Sequence, residues 1–477
     1  MRDFTPAKIG RLVGRRLARG ARWASALPLS SALLAWLAFA ATFAYLSAYV
    51  LIHYMGTDVA TSMGYVANDG FCDLGNHEGV GVHCFGDFRY MLMFTDQANP
   101  WLDVNGYPNN YLPAGMIPHV VFGRVSQVSG QPLLGLYLYL LSMAVALVLP
   151  AWWATARRAL WVRVAVVGLM ALAAPPALMA LERGNSVGFV VPPLLAVLIG
   201  VRADRRTLLM VGIVLAVMVK PQFVVLVAIY AVLRRWKSLG VALAWIAGTN
   251  AAAFAIWPRS LPTGPFDAVR AGLGYGSGAA LGWTFPTNSS LAKGPFHLAH
   301  LLSGLPFSER GAAWITAHAS LVGAVLVLGL VVSLVLLGRR VPPVISVIVL
   351  IMGSALLPGI SWMYYLVFAI PVGAVILRDP RDEAPQTAQW RGVLDEANQW
   401  WLHRLAASSI AVAVALSLSR VFLPGSSVPD SAGSGPLVLT SVEFASSAWL
   451  VAAILVVIAY AWRATPVAPL SAGLKAS

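Results

Sequence analysis

Charge is scarce in this sequence. Of its 477 residues only 11% are Asp, Glu, Lys or Arg, while 58% are hydrophobic, a balance that leaves too little polar surface for a chain dissolved in water. Cysteine is rarer still, with two residues in all, too few for a disulfide-built scaffold. There is no Gly-rich phosphate loop and no dinucleotide-binding fingerprint, which excludes those two nucleotide sites, and no short-period repeat to mark a solenoid. The apolar segments do not alternate every second residue, which excludes the strands of a transmembrane barrel.

What the chain has in quantity is the long apolar run. A membrane-spanning helix needs roughly 20 mostly apolar residues, and residues 32–52, 132–153, 312–337 and 444–462 each supply one. Mean hydropathy over the whole chain is +0.74. Lys plus Arg outnumber Asp plus Glu by 33 to 19, for a net charge of +14. In a soluble protein that excess would suggest a nucleic-acid partner. Here the basic residues sit in short segments: residues 2–22, Arg157 with Arg158, 202–206, 234–237, and Arg339 with Arg340. The positive-inside rule makes these cytoplasmic, so no nucleic acid is expected.

Counting apolar segments between the basic markers predicts an all-α polytopic membrane protein of about twelve transmembrane helices, with both termini cytoplasmic. Residues 1–30 read as a basic cytoplasmic tail without a cleavable signal core, 31–463 as a single transmembrane domain, and 464–477 as a second cytoplasmic tail. The expected location is a cytoplasmic or inner membrane. Two long extracytoplasmic loops, about 57–130 and about 258–310, break the helical pattern with Gly, Pro and aromatics. A polar inner loop covers about 378–404, where Trp390, Trp400 and Trp401 are placed to hold it at the headgroups. Within the first outer loop, residues 112–126 are apolar but interrupted by Pro113, Gly115 and Pro118, and read as a helix lying in the outer leaflet.

That first loop carries Asp58, Asp69, Asp73, Glu78, Asp87, Asp96 and Asp103, and both cysteines, Cys72 and Cys84. In an oxidising compartment the two can pair, which on the chain-entropy model is worth roughly 3 kcal/mol; two free thiols are the alternative. His77, Glu78 and His83 do not have the spacing of a zinc site, and no metal is expected. Asp87 stands just ahead of an aromatic and Pro-rich stretch at the membrane face. With a partly raised pKa it would serve as a general base toward a hydroxyl, with Asp58 as the rival and a solvated loop acid as the plain alternative.

Lys220 lies between two apolar stretches too short to cross comfortably, so the turn Lys220-Pro221-Gln222 is expected below the outer surface, lining a cavity. A cation at a helix centre costs about 2.5 to 3.5 kcal/mol on insertion scales, and a lipid phosphate would offset that. Snorkelling to the interface is the alternative. Glu182-Arg183-Gly184-Asn185 reads either as a salt-bridged turn or as part of the same site.

In order along the chain, these motifs resemble the C-superfamily glycosyltransferases of family eighty-seven. That family includes actinobacterial mannosyl- and arabinofuranosyltransferases that use polyprenyl-phosphate sugars. Asp87, Tyr90 and Asn99-Pro100-Trp101 are similar to its acid, Tyr and Asn-Pro-aromatic, and residues 107–113 to a Tyr-Pro-Pro segment. Gly184-Asn185-Ser186 resembles a Gly-Gln-x-Asn turn with the Gln replaced, and Lys220-Pro221 a Lys-Pro element. Asn288-Ser289-Ser290-Leu291 is similar to Asn-Gln-Ser-Leu, and residues 357–365 to Ser-Pro-x-Ser-Trp-x-His-Tyr with Tyr364 at the His. The cysteine-bearing segment looks like an insertion. The resemblance implies inverting transfer of mannose or arabinofuranose from a polyprenyl-phosphate donor to a glycolipid or cell-envelope polysaccharide, without nucleotide, metal or other cofactor. It also implies Asp87 as base, Lys220 and Arg183 on the donor phosphate, and Tyr90, Asn185, Gln222, Asn288, Ser290, Trp362 and Tyr364 around the substrate. A transporter or flippase of a lipid-linked anion, or a non-catalytic scaffold for envelope assembly, are the competing readings.

Overall fold

A computed structural model of the chain describes residues 29–55, 85–95, 97–102, 109, 111–131, 133–257, 263–274, 288–295, 309–378, 401–428 and 437–462. These residues are mostly helical. After α1 (Leu29–Met55) come α2 (Gly86–Thr95) and α3 (Pro113–Ser129). Next come α4 (Leu134–Ala154), α5 (Leu160–Val167) with a π-helical turn at Gly168–Leu172, and α6 (Pro175–Arg183). A 3-10 turn, Ser186–Val190, leads into α7 (Val191–Arg202), and α8 (Arg206–Val219) follows. Another 3-10 stretch, Pro221–Val227, leads into α9 (Ala228–Val232). α10 (Trp236–Ile256), α11 (Thr263–Gly274), α12 (Glu309–Leu337) and α13 (Pro343–Leu356) come next, and α14 (Ala369–Leu377) continues the 3-10 stretch Met363–Phe368. The last helices are α15 (Trp401–Ser417) and α16 (Ala445–Ala461).

Between α15 and α16 lies a two-stranded antiparallel ribbon, β1 (Phe422–Val428) with β2 (Leu437–Thr440), in a chain whose sequence reads as all-α. The helix α15 has already ended at Ser417, and the Leu-Val-Leu-Thr run of β2 suits a strand.

Among the described residues three helices are long and apolar enough to cross a membrane, Leu134–Ala154, Trp236–Ile256 and Ala317–Arg340. Leu160–Leu172 and Pro175–Arg183, bent by 59° at their junction, make a fourth if taken as one span. Pro175 explains the break, because proline forces the residue before it out of helical geometry. Shorter apolar helices, among them Arg206–Val219, Pro221–Val232, Pro343–Leu356 and Met363–Leu377, fill in the bundle. These helices make the chain a membrane protein. About twelve crossings is more than helix length alone carries.

The α4 surface shows what solvent the fold expects. Tyr139, Met143 and Leu147 form one face and are fully buried, while Tyr137, Leu141 and Val145 form the other at 55%, 61% and 58% exposure. A helix apolar on its exposed face as well as its buried one belongs in lipid. At the centre, every residue of α13 from Val344 to Leu356 is buried, and so is all of α14. Helices apolar on all sides occupy the middle of a bundle. The basic tail, the C-terminal tail and most of the inner loop lie outside the described residues.

Candidate functional site

Three helical segments that begin just after basic turns end near one another. Arg157 and Arg158 precede α5 and α6, which end at Arg183; Arg205 and Arg206 open α8, which stops before Lys220; Arg339 and Arg340 precede α13, which stops before Ser361-Trp362. Asp87 lies in the first turn of α2. The Arg183 guanidinium donates to it through Nη2 to Oδ1 at 3.1 Å and Nε to Oδ2 at 3.4 Å, and Asn185 donates Nδ2 to Oδ2 at 2.8 Å. Both partners of the ion pair are sheltered, with side chains 5% and 15% exposed.

The turn that presents Arg183 and Asn185 is built by Gly184. Its φ of +61° closes α6 in the left-handed conformation that favours glycine. Asn185 then starts the next turn by accepting the Val187 N–H on Oδ1 at 3.0 Å. A Cβ on Gly184 would sit 2.8 Å from the Phe88 Cβ, one residue after Asp87, and the Phe85 N–H donates to the Glu182 carbonyl at 2.9 Å. The turn and the start of α2 are therefore packed as one unit. Gly184→Ala is expected to lower stability by roughly 1–3 kcal/mol through backbone strain plus that contact, read as a fall in the unfolding temperature in detergent.

The Asp87 carboxyl departs from expectation. Burial is the largest single influence and pushes its pKa up. The Arg183 charge, the hydrogen bonds from Arg183 and Asn185, and the charge of Lys220 together outweigh burial, so the pKa falls below the ordinary carboxylate value. The partly raised pKa expected from the sequence is thus corrected: a loop acid on its own would be desolvated, but this one is paired. At neutral pH it is an ion with both oxygens engaged.

Lys220 follows α8. The 14 residues of α8 rise about 21 Å, short of the roughly 30 Å of a bilayer core. Lys220 is 3% exposed. Its ammonium rests 3.8 Å above the centre of the Tyr111 ring and 5.6 Å from that of Tyr365. Among the described residues no carboxylate stands within ion-pair distance of it. The N-terminus of α3 comes close because residue 115 is Gly: a Cβ there would lie 2.7 Å from the Met218 carbonyl.

Tyr111 links the cation to the acid. Its hydroxyl accepts from Ser186 Oγ at 3.2 Å, one residue past Asn185. Its backbone is held by Trp101, whose Nε1 donates to the Tyr111 carbonyl at 2.7 Å, and by Asn109, whose Oδ1 accepts the Tyr111 N–H at 2.9 Å.

A second group forms on the segment 288–295. Asn288 is fully buried and bridges to Trp362. Its Oδ1 accepts the N–H groups of Ser290 and Ser361, each at 3.0 Å, and its Nδ2 reaches the Gly359 carbonyl at 3.5 Å. That amide is committed to backbone, so it braces the 357–362 break between α13 and α14. Ser290 is buried, with a hydroxyl that finds no partner among the described residues. Trp362 precedes the 3-10 stretch and its carbonyl accepts the Tyr365 N–H at 2.8 Å. The Tyr365 ring faces Lys220, and the Tyr364 ring lies tilted against it with centroids 5.1 Å apart. Among the described residues the buried Nε2 of Gln222 also finds no partner. Tyr90 lies further along α2, against Phe94. Asp58, Cys72 and Cys84 lie outside the described residues.

Of the expected residues, then, Asp87, Arg183 and Asn185 touch directly, and Lys220 joins them through Tyr111. Asn288, Ser290 and Trp362 form a neighbouring brace. Sequence reasoning passed over Tyr111, Tyr365, Ser186, His119 and Tyr139 as site members. Tyr111 and Tyr365 stand inside motifs already singled out, but nothing local distinguishes Tyr139 from the lipid-facing Tyr137 two residues earlier. Among the described residues no cluster of His, Cys, Asp and Glu could hold a metal. Compared with protein-family models, with curated proteins and with solved structures, the chain finds no match.

Proposed function

We propose that this protein is a membrane glycosyltransferase of the GT-C kind, moving mannose or arabinofuranose from a polyprenyl-phosphate donor to a glycolipid or cell-envelope polysaccharide on the outer face, with inversion. The observation that carries the reading is one buried cluster that holds the Asp87 carboxylate and the Lys220 ammonium, with no carboxylate at ion-pair distance from Lys220 among the described residues. In the reaction an acceptor hydroxyl oxygen bonds to the anomeric carbon and the bond from that carbon to the phosphate oxygen breaks. The hydroxyl proton passes to Asp87, with Asp58 as the rival base, and the lipid phosphate leaves onto Lys220 and Arg183. The phosphate also draws Arg183 from Asp87, which strengthens the base as the donor binds.

Taking every apolar helix, long or short, as one crossing fits about twelve spans in one domain over 31–463, with the basic turns and both tails cytoplasmic and the cluster outside. The short α8 and the break at Pro221 leave Lys220 below the outer surface, within reach of a lipid phosphate. The same broken helix and buried cation would also suit a carrier of a lipid-linked anion. Membranes containing the protein, given radiolabelled polyprenyl-phosphate mannose and separately the arabinofuranose donor, decide between them. Label in lipid glycan or polysaccharide supports transfer, and none with either donor overturns it.

A further inference from the structure

We propose that Tyr139, held by His119, is a positioning residue that locks the Arg183-Gly184-Asn185 turn and thereby the Asp87 carboxylate; the proposal rests on the reading of Asp87 as the base. Tyr139 and His119 are both fully buried. The Tyr139 hydroxyl has two polar neighbours, the Gly184 carbonyl at 3.1 Å and His119 Nε2 at 3.2 Å. A phenol carries one proton, and a carbonyl can only accept. With the phenol proton given to the Gly184 carbonyl, His119 Nε2 faces the phenol oxygen, and its role there follows the tautomer of the ring. The Tyr139 hydroxyl thus joins His119 to the glycine between the two residues that hold Asp87.

Packing points the same way. The Phe88 ring lies 4.6 Å from that of Tyr139 and 5.9 Å from that of His119. The Phe88 Cβ closes the opposite side of Gly184. The turn is thus gripped between the residue after Asp87 and a hydroxyl from α4. Neither contact can be replaced by water in a site without exposure, so loss of the hydroxyl leaves the Gly184 carbonyl and His119 Nε2 without this partner together. The turn then relaxes, and Arg183 and Asn185 lose their alignment on Asp87.

The test is Tyr139→Phe in the full chain, purified into nanodiscs. Infrared titration follows the Asp87 carboxyl band, assigned by its disappearance in Asp87→Asn. The groups that act on the carboxylate are Arg183, Asn185 and Lys220, with His119 and Tyr139 also within electrostatic reach of it; the first three remain in both variants. Loosening the first two removes what holds the pKa down, so the midpoint is expected to rise by on the order of one pH unit. His119→Leu, which removes the polar group behind the phenol, should move it the same way by less. An unmoved midpoint in both variants overturns the proposal, including where either one unfolds at the wild-type temperature. Sugar transfer is measured alongside, with about a tenfold lower kcat and little change in donor KM expected for Tyr139→Phe. If the band moves but the wild type transfers no sugar, the glycosyltransferase reading fails and the positioning role stands.

Discussion

If the protein transfers sugar as proposed, Asp87→Asn is expected to lower the rate about 10²- to 10⁴-fold, the range a positioned general base supplies. The substitution keeps the shape of the side chain but turns one acceptor into a donor. That donor would face Arg183 or Asn185, both of which already donate to this position, so the turn loosens as well as the base being lost. It also takes the Asp87 charge away from the Arg183 guanidinium, which is 5% exposed, and removing one partner of a buried pair typically costs about 3–5 kcal/mol. Loss of activity alone would therefore not separate chemistry from folding. The double variant Asp87→Leu with Arg183→Met removes both charges and leaves neither stranded, so its unfolding temperature should recover toward wild type while transfer stays absent. Arg183→Gln separates the pH behaviour. In the wild type the Asp87 pKa lies below the ordinary carboxylate value, so the acid limb of kcat/KM falls below about pH 3.9. Removing the Arg183 charge leaves burial opposed by less, the pKa rises, and the acid limb moves to higher pH. A limb that stays in place shows that a different group, Asp58 first among them, is the base.

The elements of this fold were legible in proportion to how far local pattern decides them. The runs at 132–153 and 444–462 emerge as α4 and α16 within a residue or two, because an apolar stretch bounded by polar turns has no other stable form in lipid. The short stretches on either side of Lys220 were legible as short for the same reason. What pattern does not carry is partnership. Asp87 and Arg183 are 96 residues apart in the chain, and only the packing of α2 on α6 brings them together, so a raised pKa was the natural expectation and a lowered one the outcome. Asn288 is a second case. Its motif suggested a substrate contact, and its amide also bonds the backbone of 359–361, a bracing role that the motif does not announce. The choice between Tyr364 and Tyr365 turns on the phase of a 3-10 stretch, in which neighbours differ by about 120° in direction, finer than a motif comparison resolves.

Lys220→Met gives the second large effect, and its sign on stability is what discriminates. An ammonium 3% exposed and resting on two tyrosine rings gains about 2 kcal/mol or more from a desolvated cation–π contact, while its insertion costs about 2.5–3.5 kcal/mol. The two terms nearly cancel, so the lysine contributes little to the empty fold, and Met, of similar length and apolar, should leave the unfolding temperature unchanged or slightly higher. A bound phosphate changes the balance, because it adds a counter-charge beside the ammonium in a medium of low dielectric constant. Transfer in Lys220→Met should therefore fall about 10²- to 10³-fold, the loss typical of one preorganised donor at a developing oxyanion. Lys220→Arg keeps the charge but places a planar fork where a compact ammonium lay over Tyr111, and should recover only part of it. A lysine with a purely structural role predicts the reverse pattern, an unfolding temperature that drops with Met while the transfer rate per folded molecule holds. Measuring both quantities on the same preparations, with Tyr111→Leu to remove the nearer ring, decides which role this buried cation has.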